Sequence, residues 1–323
     1  MSLFTTRIIM SKRNLRSRIA TICQTNNFGS THYVRRYFGH VDSEIVRAYE
    51  GERVAEQYAK YRPSYPTIVP DAIMKYLKKG RFVKGQGKYG KMLDVGCGNG
   101  ILSTQIFAPH FTSILGIDIS EAQINKARKL NTYPNIVYEI SDGYTFPVED
   151  SSVDLITCAS AIHFMDVKKF EEECERVLKP GGCCAAYVLN FRTAIAFGKN
   201  RHLAPLSLRG ILVNYFNNIQ MHPRSFSAID GNRTVYNQIQ NNSKAYLHLL
   251  RQYKRMRFSE FKDIFRTAGE YITMMQNSET RIDPVEILGN EMKEGLYLED
   301  TADNDIELIV EHEYPTFVFR NQK

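Results

Sequence analysis

Residues 92–100 read Met92-Leu93-Asp94-Val95-Gly96-Cys97-Gly98-Asn99-Gly100, an apolar strand running into an acid-x-Gly-x-Gly-x-Gly turn with a helical pattern behind it. Such a turn brings bare backbone close to a nucleotide-like ligand. Side chains at the glycines would block the approach, and the tight bend favours residues that tolerate unusual φ/ψ. Spacing separates the ligand classes. Dinucleotide turns read G-x-G-x-x-G, the third glycine letting the helix pack on the strand. Here the third glycine comes one position early, at Gly100, and Ile101 stands where the dinucleotide glycine belongs.

The elements that follow keep a regular order. Residues 113–118 predict a second strand ending in Asp118, whose two carboxylate oxygens suit a pair of ribose hydroxyls. Ser120 reads as the N-cap of a helix over 121–130. Residues 135–140 alternate as a third strand into Ser141-Asp142-Gly143, and 152–159 form a fourth. A helix over 171–178 ends at Lys179-Pro180-Gly181-Gly182, and a fifth strand covers 183–189. Strands alternating with helices imply a parallel sheet. Upstream, 42–60 and 70–78 are helical by pattern, separated by Pro63 and Pro66, which cannot continue a helix. Downstream, 190–257 is irregular, polar and aromatic. Residues 259–274 read as one amphipathic helix capped by Ser259, 299–307 as a solvated acidic loop, and 305–320 as strand-like segments closing a sheet edge.

On these motifs the chain resembles the class I S-adenosylmethionine-dependent methyltransferases, whose motif I is G-x-G-x-G after an Asp-ended strand and which often carry L-K-P-G-G before strand five. Two further segments narrow the likeness: Tyr58 to Pro66, of the form Y-x-x-Y/F-R-P-x-Y-P, and Ala161-Ile162-His163-Phe164-Met165-Asp166 after strand four. Both look like the trans-aconitate methyltransferase-like (methyltransferase type 11) branch, except that Phe164 replaces its usual Trp. The resemblance spans residues 45–320 and is loose over 191–255. It implies an α/β, Rossmann-like, seven-stranded and mostly parallel sheet with helices on both faces. An N-terminal helical lid (42–90), a cofactor-binding core (91–190), an inserted substrate cover (191–255) and a C-terminal helix with sheet edge (256–323) would make one domain. The cofactor implied is S-adenosyl-L-methionine, contacted by Asp94, Gly96, Cys97, Gly98, Gly100, Asp118, Ile119, Asp142, Gly143, Ala159 and Tyr58. Arg62, Tyr61 and Phe164 would face the acceptor, and His163 is the candidate catalytic residue. No metal is implied.

Bulk numbers set limits on this reading. The 323 residues are 43% hydrophobic, enough for one substantial core and a subdomain. No apolar run approaches the ~20 residues that span a bilayer. Six cysteines without C-x-x-C spacing argue against a disulfide framework or a zinc site. The net charge is +7, yet residues 1–41 hold seven Lys or Arg and no acid, which leaves the remaining 35 bases facing 35 acids. A neutral body without a basic stripe weighs against nucleic acid as partner. The Arg-rich, acid-free leader reads as a mitochondrial transit peptide, with Val34-Arg35-Arg36-Tyr37-Phe38 suiting matrix processing. A basic tail with no address, on a cytoplasmic protein, is the other reading. The oligomeric state is left open.

Several residues carry two readings. Arg62 would give a lid cation able to grip a carboxylate with its planar fork, or else pair with a structural acid. His163, just past strand four, would act as a base, position the acceptor or the cofactor, or simply be satisfied by backbone. Arg192, Arg201, His202, Arg209, Arg224 and Arg233 would converge with Arg62 over the reacting centre if the acceptor is an anion. The leading expectation is O-methylation of a small molecule, a carboxylate in its narrowest form. A lipid, quinone or macromolecular acceptor, or a non-catalytic cofactor-binding assembly protein, are the alternatives.

Overall fold

The computed structural model describes residues 52–80, 87–197, 204–247, 250–277 and 282–322. The basic leader and most of the first expected helix lie outside them. So do the connector over 81–86, Arg201 and His202.

Two helices, α1 (Glu52–Tyr61) and α2 (Ile68–Gly80), precede β1 (Tyr89–Val95). The chain then alternates through β2 (Phe111–Asp118), α3 (Glu121–Leu130), β3 (Ile136–Ile140), β4 (Val153–Ala159), α4 (Val167–Val177) and β5 (Leu178–Tyr187). A near-continuous apolar run fits a strand covered on both faces, and β1 shows it: Met92, Leu93 and Val95 are fully buried, as are Leu155, Ile156 and Cys158 of β4. These two central strands pair in parallel, with β2 and β3 outside β1 and β5 outside β4. Ser120 caps α3 as expected, accepting the Gln123 amide at 3.3 Å. Helix α4 starts four residues earlier than expected because Asp166 caps it, accepting the Lys168 and Lys169 amides. The Lys179 to Gly182 turn is absorbed into β5, where the register against β4 jumps from Leu178 to Cys183 and Gly181 takes φ +74°.

The region after β5 differs most from its expected irregularity. It contains β6 (Asn190–Phe197), β7 (Leu206–Ser207), α5 (Arg209–Asn218), α6 (Phe226–Ile229), α7 (Arg233–Gln238), β8 (Ala245–Tyr246) and β9 (Arg251–Arg257). Helices α8 (Phe258–Phe265), α9 (Gly269–Asn277) and α10 (Pro284–Leu296) lead into β10 (Glu307–Glu313) and β11 (Thr316–Arg320). Strand β11 runs antiparallel beside β5, and β8 beside β11, completing a seven-stranded sheet of order β3-β2-β1-β4-β5-β11-β8. Strands β7, β6, β10 and β9 form a second, antiparallel sheet. One of its faces packs on α5, α8 and α10 through Leu212, Tyr215, Phe258, Phe261, Leu288, Met292, Leu308 and Val310. The chain passes between the sheets four times: after β5, on either side of β8, and through Tyr314-Pro315 before β11.

Two local expectations are corrected. The helix expected over 259–274 is two helices, and Ser259 is not its cap. Helix α8 opens after Arg257, whose amide donates to Glu260 at 2.9 Å. The Thr267 hydroxyl donates to the Ile264 carbonyl at 2.5 Å, a side-chain bond that competes with helix continuation, and Gly269 restarts the helix. The acidic stretch over 299–307 is also less solvated than expected. Asp303 takes Lys262 at 2.6 Å and Lys293 at 2.5 Å, and Lys262, buried, also reaches Glu286.

Candidate cofactor and acceptor site

The glycine turn joins β1 to a short 3₁₀ turn over Gln105–His110. Gly96, Gly98 and Gly100 all take positive φ. Their open sides face different things, which corrects the expectation that each makes room for a ligand. A side chain at Gly96 would meet Ala161 and Met165, and one at Gly100 would run into the Tyr138 hydroxyl. A Cβ at Gly98 would find only the Gln123 Oε1 atom, at 3.9 Å. Gly98 alone of the three opens onto free space. Cys97 is buried behind the turn, its thiol donating to the Gly98 carbonyl at 3.5 Å, and burial pushes that thiol well above its usual range.

Asp94 is turned inward and does not face a ligand. Its carboxylate accepts the Thr104 and Thr157 hydroxyls at 2.6 Å and the Ser103 hydroxyl at 3.1 Å. Burial raises its pKa to about 6 against the pull of those three donors. Asp94 therefore ties the glycine turn to β4 rather than contacting cofactor. Asp118, at the end of β2, accepts the Gly98 amide at 2.8 Å on Oδ2 and the Ser120 amide at 2.9 Å on Oδ1. An ionised carboxylate has lone pairs beyond those two bonds, so it can still accept ribose hydroxyls. Ile119 beside it is 44% exposed, an apolar plate at the lip of the opening. Across from it Asp142 accepts the Tyr144 amide at 2.9 Å, which folds the loop so that Gly143, at φ +73°, has nothing within 4 Å of its open side.

Gln123 was not anticipated. It is buried, its Oε1 has no hydrogen-bond partner, and it borders the opening over Gly98; the buried Asn99 likewise leaves Nδ2 unpartnered. A buried polar atom without a partner costs about 1–3 kcal/mol, a cost that a polar ligand above Gly98 would remove. The signal was present in the sequence, since Gln123 lies within the first turn of the helix that follows Asp118. Opening, carboxylate, apolar plate and unpartnered amides together fit an adenosyl and amino-acid ligand such as S-adenosylmethionine.

Beyond the opening, at the same edge of the sheet, β4 and β5 end side by side. Ala159 closes β4, and Ser160 (φ +51°) donates its amide to the Tyr187 carbonyl at 2.8 Å. Tyr65, in the connection between α1 and α2, covers this edge, its hydroxyl 2.8 Å from the Ser160 Oγ and its ring edge-on to Tyr187 at 4.7 Å. Neither Tyr65 nor Tyr187 was singled out, although Tyr65 lies inside the Tyr58 to Pro66 segment. His163 and Phe164 sit in a 3₁₀ turn (Ile162–Phe164), their rings 4.2 Å apart. His163 is buried, its Nδ1 lacks a hydrogen bond, and burial lowers its pKa to about 4, so it is neutral at pH 7.

Arg62 donates Nε to the Thr267 hydroxyl at 2.8 Å, so the connection between α1 and α2 reaches the α8–α9 junction. Tyr61 ends α1 under the Lys60 ammonium, 4.8 Å from its ring centre; Tyr58 lies on α1. Among the described residues the expected convergence of cations is not found. Arg192 pairs with Glu313, Arg209 is exposed on α5, and Arg233 lies over Tyr246. Of that set, among the described residues, only Arg224 reaches this wall, buried and donating to the Phe164 carbonyl at 3.3 Å.

Comparison with known proteins agrees with this geometry. Residues 93–186 match the family described as a methyltransferase domain. An uncharacterized methyltransferase-like protein of Schizosaccharomyces pombe is 30% identical over 125 residues, 39% of this chain and 45% of its own length. A probable S-adenosylmethionine-dependent methyltransferase of Saccharomyces cerevisiae is 25% identical over 266 residues, 75% of this chain and 88% of its own. The chain thus spans less than half of the first relative and most of the second. A solved type II methyltransferase, so named provisionally, from Anaeromyxobacter dehalogenans superposes with a TM-score of 0.58 at 21% identity, covering 81% of this chain and 98% of its own. Residues 93–186 carry the match to a methyltransferase domain, and the relatives include a probable S-adenosylmethionine-dependent enzyme; the comparisons do not single out the trans-aconitate-like branch.

Proposed function

We propose that this chain moves the methyl group of S-adenosylmethionine onto an oxygen of a small molecule seated at the carboxyl edge of β4 and β5. The observation that carries the reading is the opening over Gly98. It is flanked by Asp118 and Gln123, and it lies at the same sheet edge as Ser160 and Tyr187, since β1, β4 and β5 run in parallel. S-adenosylmethionine supplies a methyl already activated on sulfonium, so the protein's task is to align the partners and exclude water. Asp118 and the Gly98 backbone would hold the cofactor, and Tyr65 with Phe164 would wall the acceptor away from solvent. His163, neutral and buried, would hold its ring against Phe164.

A carboxylate acceptor is the narrower form of this reading. Carboxylates are ionised at neutral pH and need no base, which suits a site whose histidine is too weak a base to be charged at pH 7. Arg224, which donates to the Phe164 carbonyl, and Arg62 of the connection between α1 and α2 would be candidate guanidinium partners for such an anion. The test is transfer of labelled methyl from the cofactor into a metabolite extract, with the product identified by mass. Product carrying the label on carbon or nitrogen would remove the oxygen reading, and no binding of S-adenosylmethionine by calorimetry would remove the whole. The basic leader would send the chain to the mitochondrial matrix; a full-length protein that stays cytosolic with its N-terminus intact removes that proposal.

A further inference from the structure

Strand β9 presents two different faces. Arg251 and Arg255 point to one side and meet Glu313 and Glu307 of β10. Gln252, Lys254 and Met256 alternate with them and therefore share the opposite side, where Met256 packs into the core over the helices. A lysine on that side is out of place. Lys254 is half-buried, and no hydrogen bond or ion pair is found for it among the described residues. Burial holds its pKa below the usual lysine range, with no acid opposing that effect.

Its neighbours are also short of partners. His312 lies directly across from Gln252 in the sheet and is fully buried. Its Nε2 has no hydrogen bond, and neither does the Gln252 Oε1. The Tyr314 hydroxyl lies 3.4 Å from the His312 Nδ1. If that hydroxyl donates, Nε2 carries the ring proton and is a free donor. The two ends of an amide are interchangeable by rotation, so Gln252 can present N–H as readily as oxygen. An ammonium, an imidazole N–H and an amide N–H, partly withdrawn from water, are the donor set that an anion completes.

The position links this group to the reaction edge. The Tyr314 ring lies 5.9 Å from that of Tyr65, whose hydroxyl touches Ser160. The Phe191 ring stands edge-on to His312 at 4.9 Å and closes the other side. From this we infer that Lys254, His312 and Gln252 form an anion subsite at the seam between the two sheets, one that anchors a carboxylate of the methyl acceptor. The inference rests on the proposed function for what the anion is, and it moves the anchoring role from Arg62 to residues of β9 and β10. Lys254 brings the charge, and His312 and Gln252 fix the orientation.

Succinate and its uncharged counterpart succinamide are the probes. Each is titrated into the S-adenosylhomocysteine complex and into the free protein while the His312 ring proton is followed by NMR, its signal assigned through His312→Phe. Succinate is expected to shift that signal saturably and succinamide to leave it in place. Lys254→Met, which keeps the aliphatic stem, should weaken succinate about tenfold or more through loss of a charge-assisted bond. Calorimetric affinity for S-adenosylhomocysteine should not change. Gln252→Leu, on a partly exposed strand, gives a second variant with the same expected loss. An unmoved His312 signal, an equal response to succinamide, or undiminished succinate binding by Lys254→Met overturns the subsite. Failure of S-adenosylhomocysteine to bind would instead strike the methyltransferase reading, and the titration of the free protein would still judge the subsite.

Discussion

The Gly98 amide donates to the Asp118 Oδ2 atom at 2.8 Å, so the glycine turn and the end of β2 are a single unit. The carboxylate expected to hold ribose also holds the turn that admits the ribose. Asp118→Ala should therefore weaken S-adenosylmethionine and S-adenosylhomocysteine alike, by about 1.5–3 kcal/mol, the range for a hydrogen bond to a charged group. Calorimetry with both ligands measures this. Undiminished binding of either would take Asp118 out of the site.

Two glycines of the same turn should respond differently to an added side chain. Gly100→Ala collides with the buried Tyr138 hydroxyl and should cost folding stability, in the range of about 1–3 kcal/mol for overpacking. Gly98→Val projects into the open space and should abolish cofactor binding, with the fold kept apart from the strain of a positive φ. Denaturant midpoints and calorimetry separate the outcomes. A Gly98→Val protein that binds normally refutes the backbone-approach argument.

Stability should carry opposing pH slopes. His163 has a folded pKa near 4 against 6.5 unfolded, so its contribution is whole above about 6.5 and is lost as pH falls toward 4. The loss is on the order of 3 kcal/mol. Asp94 runs the other way: with a folded pKa near 6 against 3.8, its contribution is whole in acid and is lost as pH rises from about 4 to 6. Asp94→Asn should thus steepen the loss of stability from pH 6 to pH 4, because the histidine slope is no longer opposed. Urea midpoints across that range test it, and an unchanged slope counts against a buried, raised Asp94.

Arg62→Lys keeps the charge and removes the fork. It should leave cofactor affinity nearly unchanged while lowering kcat or raising the acceptor's KM, because the lid loses its bond to Thr267. Steady-state kinetics with the identified acceptor, beside calorimetry, gives the answer. Weakened cofactor binding alone would assign Arg62 to the methionine carboxylate instead.

The cofactor half of the molecule was readable from sequence because its signals are local. A strand ending in Asp118, a Ser120 cap and a helix over 121–130 each declare themselves within ten residues, and the structure keeps those bounds. The inserted half was not readable, for a physical reason. Strand β9 reads Arg-Gln-Tyr-Lys-Arg-Met-Arg, so its inward face carries Gln252 and Lys254 where an alternating strand normally shows apolar residues. Asp94 shows a different limit: the sequence placed it at the ligand, but the hydroxyls that turn it inward come from Ser103, Thr104 and Thr157, the last of them 63 residues away. Tertiary partners of that kind leave no local mark.

The order of strands in the seven-stranded sheet has a consequence for synthesis. Strand β5 is covered on one side by β4 at once, but on the other only by β11, which ends at Arg320. Between them the ribosome must make the whole second sheet and its helices. During that interval β5 is a bare apolar edge, its residues 183–187 fully buried in the finished protein, and such edges invite pairing with other chains. A nascent chain stalled between β5 and β11 should therefore be an aggregation-prone species in need of a chaperone, even though every residue proposed to hold the cofactor has already been made.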